Sequence, residues 1–231
     1  MPNLLAIDTA TEACSVALVF NQQVFTRSKI APREHGELIL PMVDEVLKEA
    51  KVKLTDLDAI VYGQGPGAFT GLRICISVVQ GLAFGAGLPV IGISSLQAMA
   101  QGLYSQRKEK HALAAIDARM GEVYWGQYEL WDNVMTLVGS ETVCSPELVT
   151  VSAPNASIVY NGVGTGWKTY ASELSATLNL PTVIHTEPLY PFAEYMLPMA
   201  ERLFEQGQAI PAEQAVPVYL RDNVAKKAKH Q

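Results

Sequence analysis

Leu4 to Leu18 reads "LLAIDTATEACSVAL", and far downstream Leu113 to Tyr128 reads "LAAIDARMGEVYWGQY". Each stretch is an apolar strand closed by an aspartate, Asp8 or Asp117, followed by a short turn and a second strand. Using one device twice predicts two lobes of related α/β fold rather than one long sheet. "SQRKEK", residues 105–110, breaks the apolar pattern with four charges between the two copies. The expected lobes are therefore 1–107 and a smaller 108–231.

Working outward from the first copy, Leu4–Ile7, Ala13–Phe20 and Val24–Ile30 read as strands, with Asn21-Gln22-Gln23 as a hairpin connection that makes them antiparallel neighbours. Helical periodicity follows over 34–50, a strand over 59–62, a helix over 70–86 and a strand over 90–93. A further helix, capped by Ser94 or Ser95, runs to about Tyr104. Strands joined through helices need parallel crossovers, so the sheet is mixed, in the order of a ribonuclease-H-like lobe. In the second lobe, Glu122–Tyr128 and Val134–Val138 read as strands, and "SIVYNGVGTGW" as a strand entering a glycine turn. Phe192–Glu205 reads as a helix that starts at Pro191 and is divided at Pro198.

Composition excludes several classes. The 231 residues are 49% hydrophobic, enough for a substantial core, and carry 17 Lys and Arg against 23 Asp and Glu, a net charge of −6. Such a body is not expected to bind nucleic acid extensively unaided. Cys14, Cys75 and Cys144 are odd in number and form no CxxC, which predicts buried thiols in a reducing, cytoplasmic setting. No basic region precedes the short N-terminal apolar run, so no secretory signal is expected. Ile74 to Ile93 is uncharged and about long enough for a bilayer, but Gly85, Gly87 and Pro89 interrupt it. No membrane association is expected.

An aspartate at a strand end followed by hydroxyls is how a two-lobed nucleotide fold offers a metal-water ligand and phosphate hydrogen bonds. Asp8-Thr9-Ala10-Thr11 has the hydroxyls but no glycine to admit phosphate oxygens to the backbone. At the second turn, Arg119 and Met120 follow Asp117 where phosphate needs room, and Gly162 and Gly164 form only a lone glycine cluster. We read Asp8, Thr9, Thr11, Asp117, Gly162 and Gly164 as a degenerate nucleotide site. There is no G-x-S-x-G, H-E-x-x-H or P-loop motif, and the four histidines share no ligand spacing. His35 opens a helix, where a capping role is expected. "GQGPGAFTG", residues 63–71, reads as a helix-entry joint with Thr70 as cap, a phosphate loop being the alternative. No metal or cofactor is expected.

The chain does have apolar helix surface in excess. Leu38, Ile39, Leu40, Met42, Val43, Val46 and Leu47 sweep roughly 200° at about 100° per residue, twice the stripe one core needs. On the next helix Arg73, Ser77 and Gln80 are the only polar strip. A neighbouring helix or a partner protein could cover the surplus, and His35, Leu38, Met42, Val46, Arg73, Ile76, Val79 and Gln80 are the expected partner interface.

These stretches, together with "PREHGELILPMV", "LPVIGISSLQAMA" and "PVYLRDN", resemble the bacterial TsaB (YeaZ) family over nearly the whole chain. The resemblance implies the two-lobed actin/hexokinase/Hsp70-like fold, with mixed sheets flanked by helices, and a role in placing threonylcarbamoyladenosine on tRNA. It implies a TsaD-like catalytic paralogue as partner, a TsaE-like ATPase, self-association as a homodimer in the paralogue's absence, and tRNA only within the complex. In the paralogue two histidines on the helix after the fifth strand hold a metal; Ser95 and Met99 stand at those positions here. A hydroxyl and a thioether do not replace imidazoles, so the resemblance implies a non-catalytic activator. The enzyme alternative is a small ATP-dependent phosphotransferase of the same fold class.

Overall fold

The computed structural model describes residues 1–187 and 190–221. The Asp222-Asn223 end of the PVYLRDN motif and the basic tail Lys226–His230 lie outside them. The chain forms β1 (Leu4–Asp8), β2 (Ala13–Phe20), β3 (Gln23–Ile30), α1 (His35–Ala50), β4 (Ala59–Gly65), α2 (Phe69–Ala86), β5 (Val90–Ser94) and α3 (Ser95–Arg107). There follow β6 (His111–Arg119), β7 (Glu122–Trp131), β8 (Val134–Cys144), β9 (Tyr160–Val163), α4 (Thr165–Leu178), β10 (Thr182–Ile184) and α5 (Leu197–Glu205).

The two sheets have the same plan. The first runs β3-β2-β1-β4-β5 and the second β8-β7-β6-β9-β10, each with three antiparallel strands followed by two parallel ones. The repeat seen between Leu4 and Leu113 is therefore a repeat of topology. Both leading strands are apolar along their length because both faces are covered. Leu5 and Ile7 pack against α1 and α2, whereas Leu4 and Ala6 pack against α5. Likewise Leu113 and Ala115 face α4, and Ala112, Ala114 and Ile116 face α3.

Packing does not follow chain order. Helix α3, from the first half, lies on β6, β7 and β8, while α5, from the second half, lies on β1, β4 and β5. The two helices thus sit between the sheets and tie them together. A 3-10 turn at Ala193–Met196 precedes α5, and Pro198 stands in the first turn of that helix, so the expected division at Pro198 is present. Ser94 is the cap of α3, accepting from the amides of Leu96 and Gln97 at 3.1 and 3.4 Å. Beyond α5 the chain returns along the first lobe, pairing Ile210 with Val90 at the sheet edge and Val218 with Gln64. Arg221, the last of the described residues, pairs with Glu122 of the second lobe.

Candidate functional site

The two aspartate turns face each other across a cleft of about 440 Å³, lined from the first lobe by Thr11, Glu12 and Phe69 and from the second by Asp117, Arg119 and Lys168. Each turn is folded onto its own aspartate. The amide of Ala10 donates to Asp8 Oδ1 at 3.0 Å, and that of Arg119 to Asp117 Oδ1 at 2.8 Å. The amide of Asp117 donates to Thr165 Oγ1 at 3.0 Å. Backbone donors of the kind that could cradle phosphate are thus satisfied within the protein.

Asp8 itself does not reach the cleft. It is fully buried and its Oδ2 has no hydrogen-bond partner, lying where a Cβ on Gly63 would stand. Burial pushes its carboxyl up to about 7, only partly opposed by the Ala10 amide. The same burial, with Asp8 nearby, holds the Cys14 thiol up at about 11 and raises Cys75 further. Thr9 Oγ1 donates to the carbonyl of Gly71 at 2.8 Å, so it too is bound inside the lobe.

The glycine turn answers to this packing. A Cβ on Gly67 would enter the carbonyl of Ala10, and one on Gly71 the carbonyl of Thr9. Ala68 also donates its amide to the Ala10 carbonyl at 2.7 Å. The turn is a joint between α2 and the strand end. Thr70, however, is not the cap: α2 starts at Phe69 behind Ala68, with no side-chain cap. In the second lobe Gly162 is filled against Trp167, and Gly164, at φ +105°, against the Ala115 carbonyl and Met99. Neither leaves room for a ligand.

His35 is also placed differently from expectation. It is buried, and its Nε2 lies 2.8 Å from the carbonyl of Thr11, tying α1 to the first turn rather than capping its own helix. Of the expected interface residues, Val46 and Val79 have no exposure, and Met42 and Ile76 have 8% and 7%. They form the core between α1, α2 and the first sheet, which corrects the reading of them as contact residues: their apolar arc points inward. Arg73 is exposed, and Leu38 and Gln80 are half-buried. The exposed apolar side chains of the pair are Leu40 and Phe84, at 49% and 84% exposure, along with Phe69.

Sequence reasoning missed the C-terminal contribution to the cleft. Tyr219 stacks on Phe69, with centroids 5.6 Å apart, and Arg73 lies 3.9 Å over the Phe69 ring. Arg221 pairs with Glu122 of β7, and Arg119 reaches Glu12 across the lobes at 3.3 Å. It also missed Glu141, whose carboxylate accepts from both Ser94 and Tyr128 and joins the second sheet to the start of α3. Ser95, where the paralogue's first histidine would stand, is buried with an unpartnered Oγ, and Met99 is packed in the core. The "PVYLR" motif was the sequence signal for Tyr219 and Arg221.

Duplicated ribonuclease-H-like sheets on either side of a cleft, each with an aspartate closing its leading strand, place the chain in the actin/hexokinase/Hsp70-like fold class. The family model described as TsaD, tRNA N6-adenosine threonylcarbamoyltransferase, matches residues 21–229. The tRNA threonylcarbamoyladenosine biosynthesis protein TsaB of Escherichia coli K12 is 47% identical over 97% of this chain and 96% of its own length. That of Haemophilus influenzae is 40% identical over 97% and 95%. The structure of YeaZ from Pseudomonas aeruginosa superposes with a TM-score of 0.88 at 46% identity, covering 95% of this chain and all of that one. The chain belongs to the TsaB (YeaZ) family of tRNA threonylcarbamoyladenosine biosynthesis proteins.

Proposed function

We propose that the chain serves threonylcarbamoyladenosine formation on tRNA as a non-catalytic accessory subunit of a TsaD-like catalytic paralogue, in the cytoplasm. The observation that carries this reading is the closed first turn: Asp8 is buried beneath the glycine joint, away from the cleft where a metal or phosphate would need it. Ser95 and Met99 point the same way, since neither offers an imidazole. The contact face is the outer side of α1 and α2, where Leu40 and Phe84 are exposed and Arg73 adds a charge. A second copy of the chain would use this face when the paralogue is absent, and a TsaE-like ATPase would join the assembled pair. With lobes of 1–107 and 108–231, both helices of this face would belong to the first lobe.

The test is association and activity together. Leu40→Asp with Phe84→Asp should release the paralogue and abolish tRNA modification while the circular dichroism and melting cooperativity stay those of the parent. Co-elution of the double variant with the paralogue places the contact elsewhere. Met42→Asp or Val79→Asp would not serve, because a charge at either site disrupts the core.

A further inference from the structure

The cleft no longer suits a polyphosphate, yet it is open, and its walls have a definite chemistry. Four aromatic side chains line it, Phe69 and Tyr219 on one side with Tyr124 and Tyr190. Phe69 is 52% exposed although it opens α2, and Tyr219, beyond the last helical turn, is 44% exposed. Three cations, Arg119, Lys168 and Arg221, line it beside only two carboxylates, Glu12 and Asp117. With Glu122, which pairs with Arg221, acids and bases at the cleft are equal in number, whereas over the whole chain acids outnumber bases 23 to 17. Ion pairs to Asp117, Glu12 and Glu122 hold Arg119 and Arg221 in place. Lys168 stands exposed on α4.

Exposed aromatic rings beside positively charged side chains suit flat bases joined by phosphates, because stacking accepts any base while the cations follow the backbone. A volume of about 440 Å³ falls within the range of small-ligand pockets and has room for one unstacked nucleotide, not for a duplex. We infer that the cleft between Tyr219 and Lys168 receives an unpaired nucleotide of RNA, so that this subunit itself holds part of the single-stranded region of the tRNA. The inference rests on the accessory-subunit reading and gives that subunit a share in substrate positioning. A free nucleoside triphosphate is the other source of the same chemistry. It is disfavoured by the turn amides already bonded to Asp8 and Asp117, which a polyphosphate would need as donors.

The experiment measures fluorescence anisotropy of a labelled hairpin RNA with a single-stranded loop, titrated with the full chain, against a blunt duplex of equal length. The hairpin should bind and the duplex should bind at least about 10-fold more weakly. Tyr219→Leu should weaken the hairpin about 10-fold, and Lys168→Ala about 3-fold with a shallower salt dependence. Lys168 is exposed, so its variant guards against misfolding of the Tyr219 one. Absence of hairpin binding, equal binding of duplex, parental affinity in both variants, or displacement by millimolar ATP would each overturn the inference. In the reconstituted reaction both variants should raise KM for tRNA and leave kcat unchanged. Unchanged KM refutes this site alone, whereas a parent chain that does not support modification at all refutes the functional reading beneath it.

Discussion

Asp8 and Asp117 occupy the same position in two sheets of the same topology, and each accepts a hydrogen bond from the amide two residues on. Their surroundings are opposite. Asp8 is fully buried against Gly63 with one oxygen unpartnered, and its carboxyl is pushed up to about 7. Asp117 lines the cleft and meets the Arg119 guanidinium at 3.3 Å. The difference shows how one topology used twice can give equivalent aspartates opposite surroundings. In one lobe the helix joint closes over the aspartate, and in the other the aspartate takes a cation from its own hairpin.

The largest effect should come from Asp8. Its proton is held up to about pH 7 in the folded chain, against about 3.8 for a free aspartate carboxyl. Between those values the folded chain binds more protons than the unfolded one, so stability falls as pH rises, by up to about 4 kcal/mol. Asp8→Asn removes this titration. Denaturant unfolding between pH 4 and 8 should give a flatter pH dependence for the variant, which becomes the more stable protein near neutrality. Equal slopes would mean that Asp8 is solvated and the lobes are more alike than described.

Next comes the joint that closes over it. Gly71→Ala should cost about 2–3 kcal/mol, because its Cβ would enter the carbonyl of Thr9 in a packed region. Gly81→Ala on the same helix meets nothing within 4 Å and should be neutral or stabilising by up to about 1 kcal/mol. A small cost at both positions would show that α2 does not press on the Asp8 turn. The smallest effect is expected at the other turn: Asp117→Ala removes the bond from the Arg119 amide and a pair whose Arg119 side is 74% exposed, and should cost about 1–2 kcal/mol. A larger loss would assign Asp117 a structural weight comparable to that of Asp8.

The sheets were legible because their apolar strands are bounded by aspartate turns and hairpins, and the first lobe shows this with few interruptions. The second lobe was harder. Helix α4 went unread because "TGWKTYASELSATL" mixes polar residues through the window and bends at Tyr170, whose backbone is non-helical. Strand β10 is only three residues long. Periodicity announced that α1 and α2 bury wide faces, but it does not say against what, so Val46 and Val79 read as contact residues when their own sheet covers them. The cleft wall escaped for a similar reason. Phe69 and Tyr219 meet only after the chain has packed α5 and returned along the first lobe, and no local pattern encodes a contact of that length.

The central claim is that this chain enables threonylcarbamoyl transfer without an active site of its own. It is tested most directly by reconstituting tRNA modification from the TsaD-like subunit, a TsaE-like ATPase and the Asp8→Asn chain. Modification at the parental rate, with none when the chain is omitted, is the predicted result. A chain that still binds its partner but whose Asp8→Asn form loses modification by 100-fold or more, a loss on the order of a missing catalytic acid or base, would contradict the claim and make Asp8 a catalytic residue.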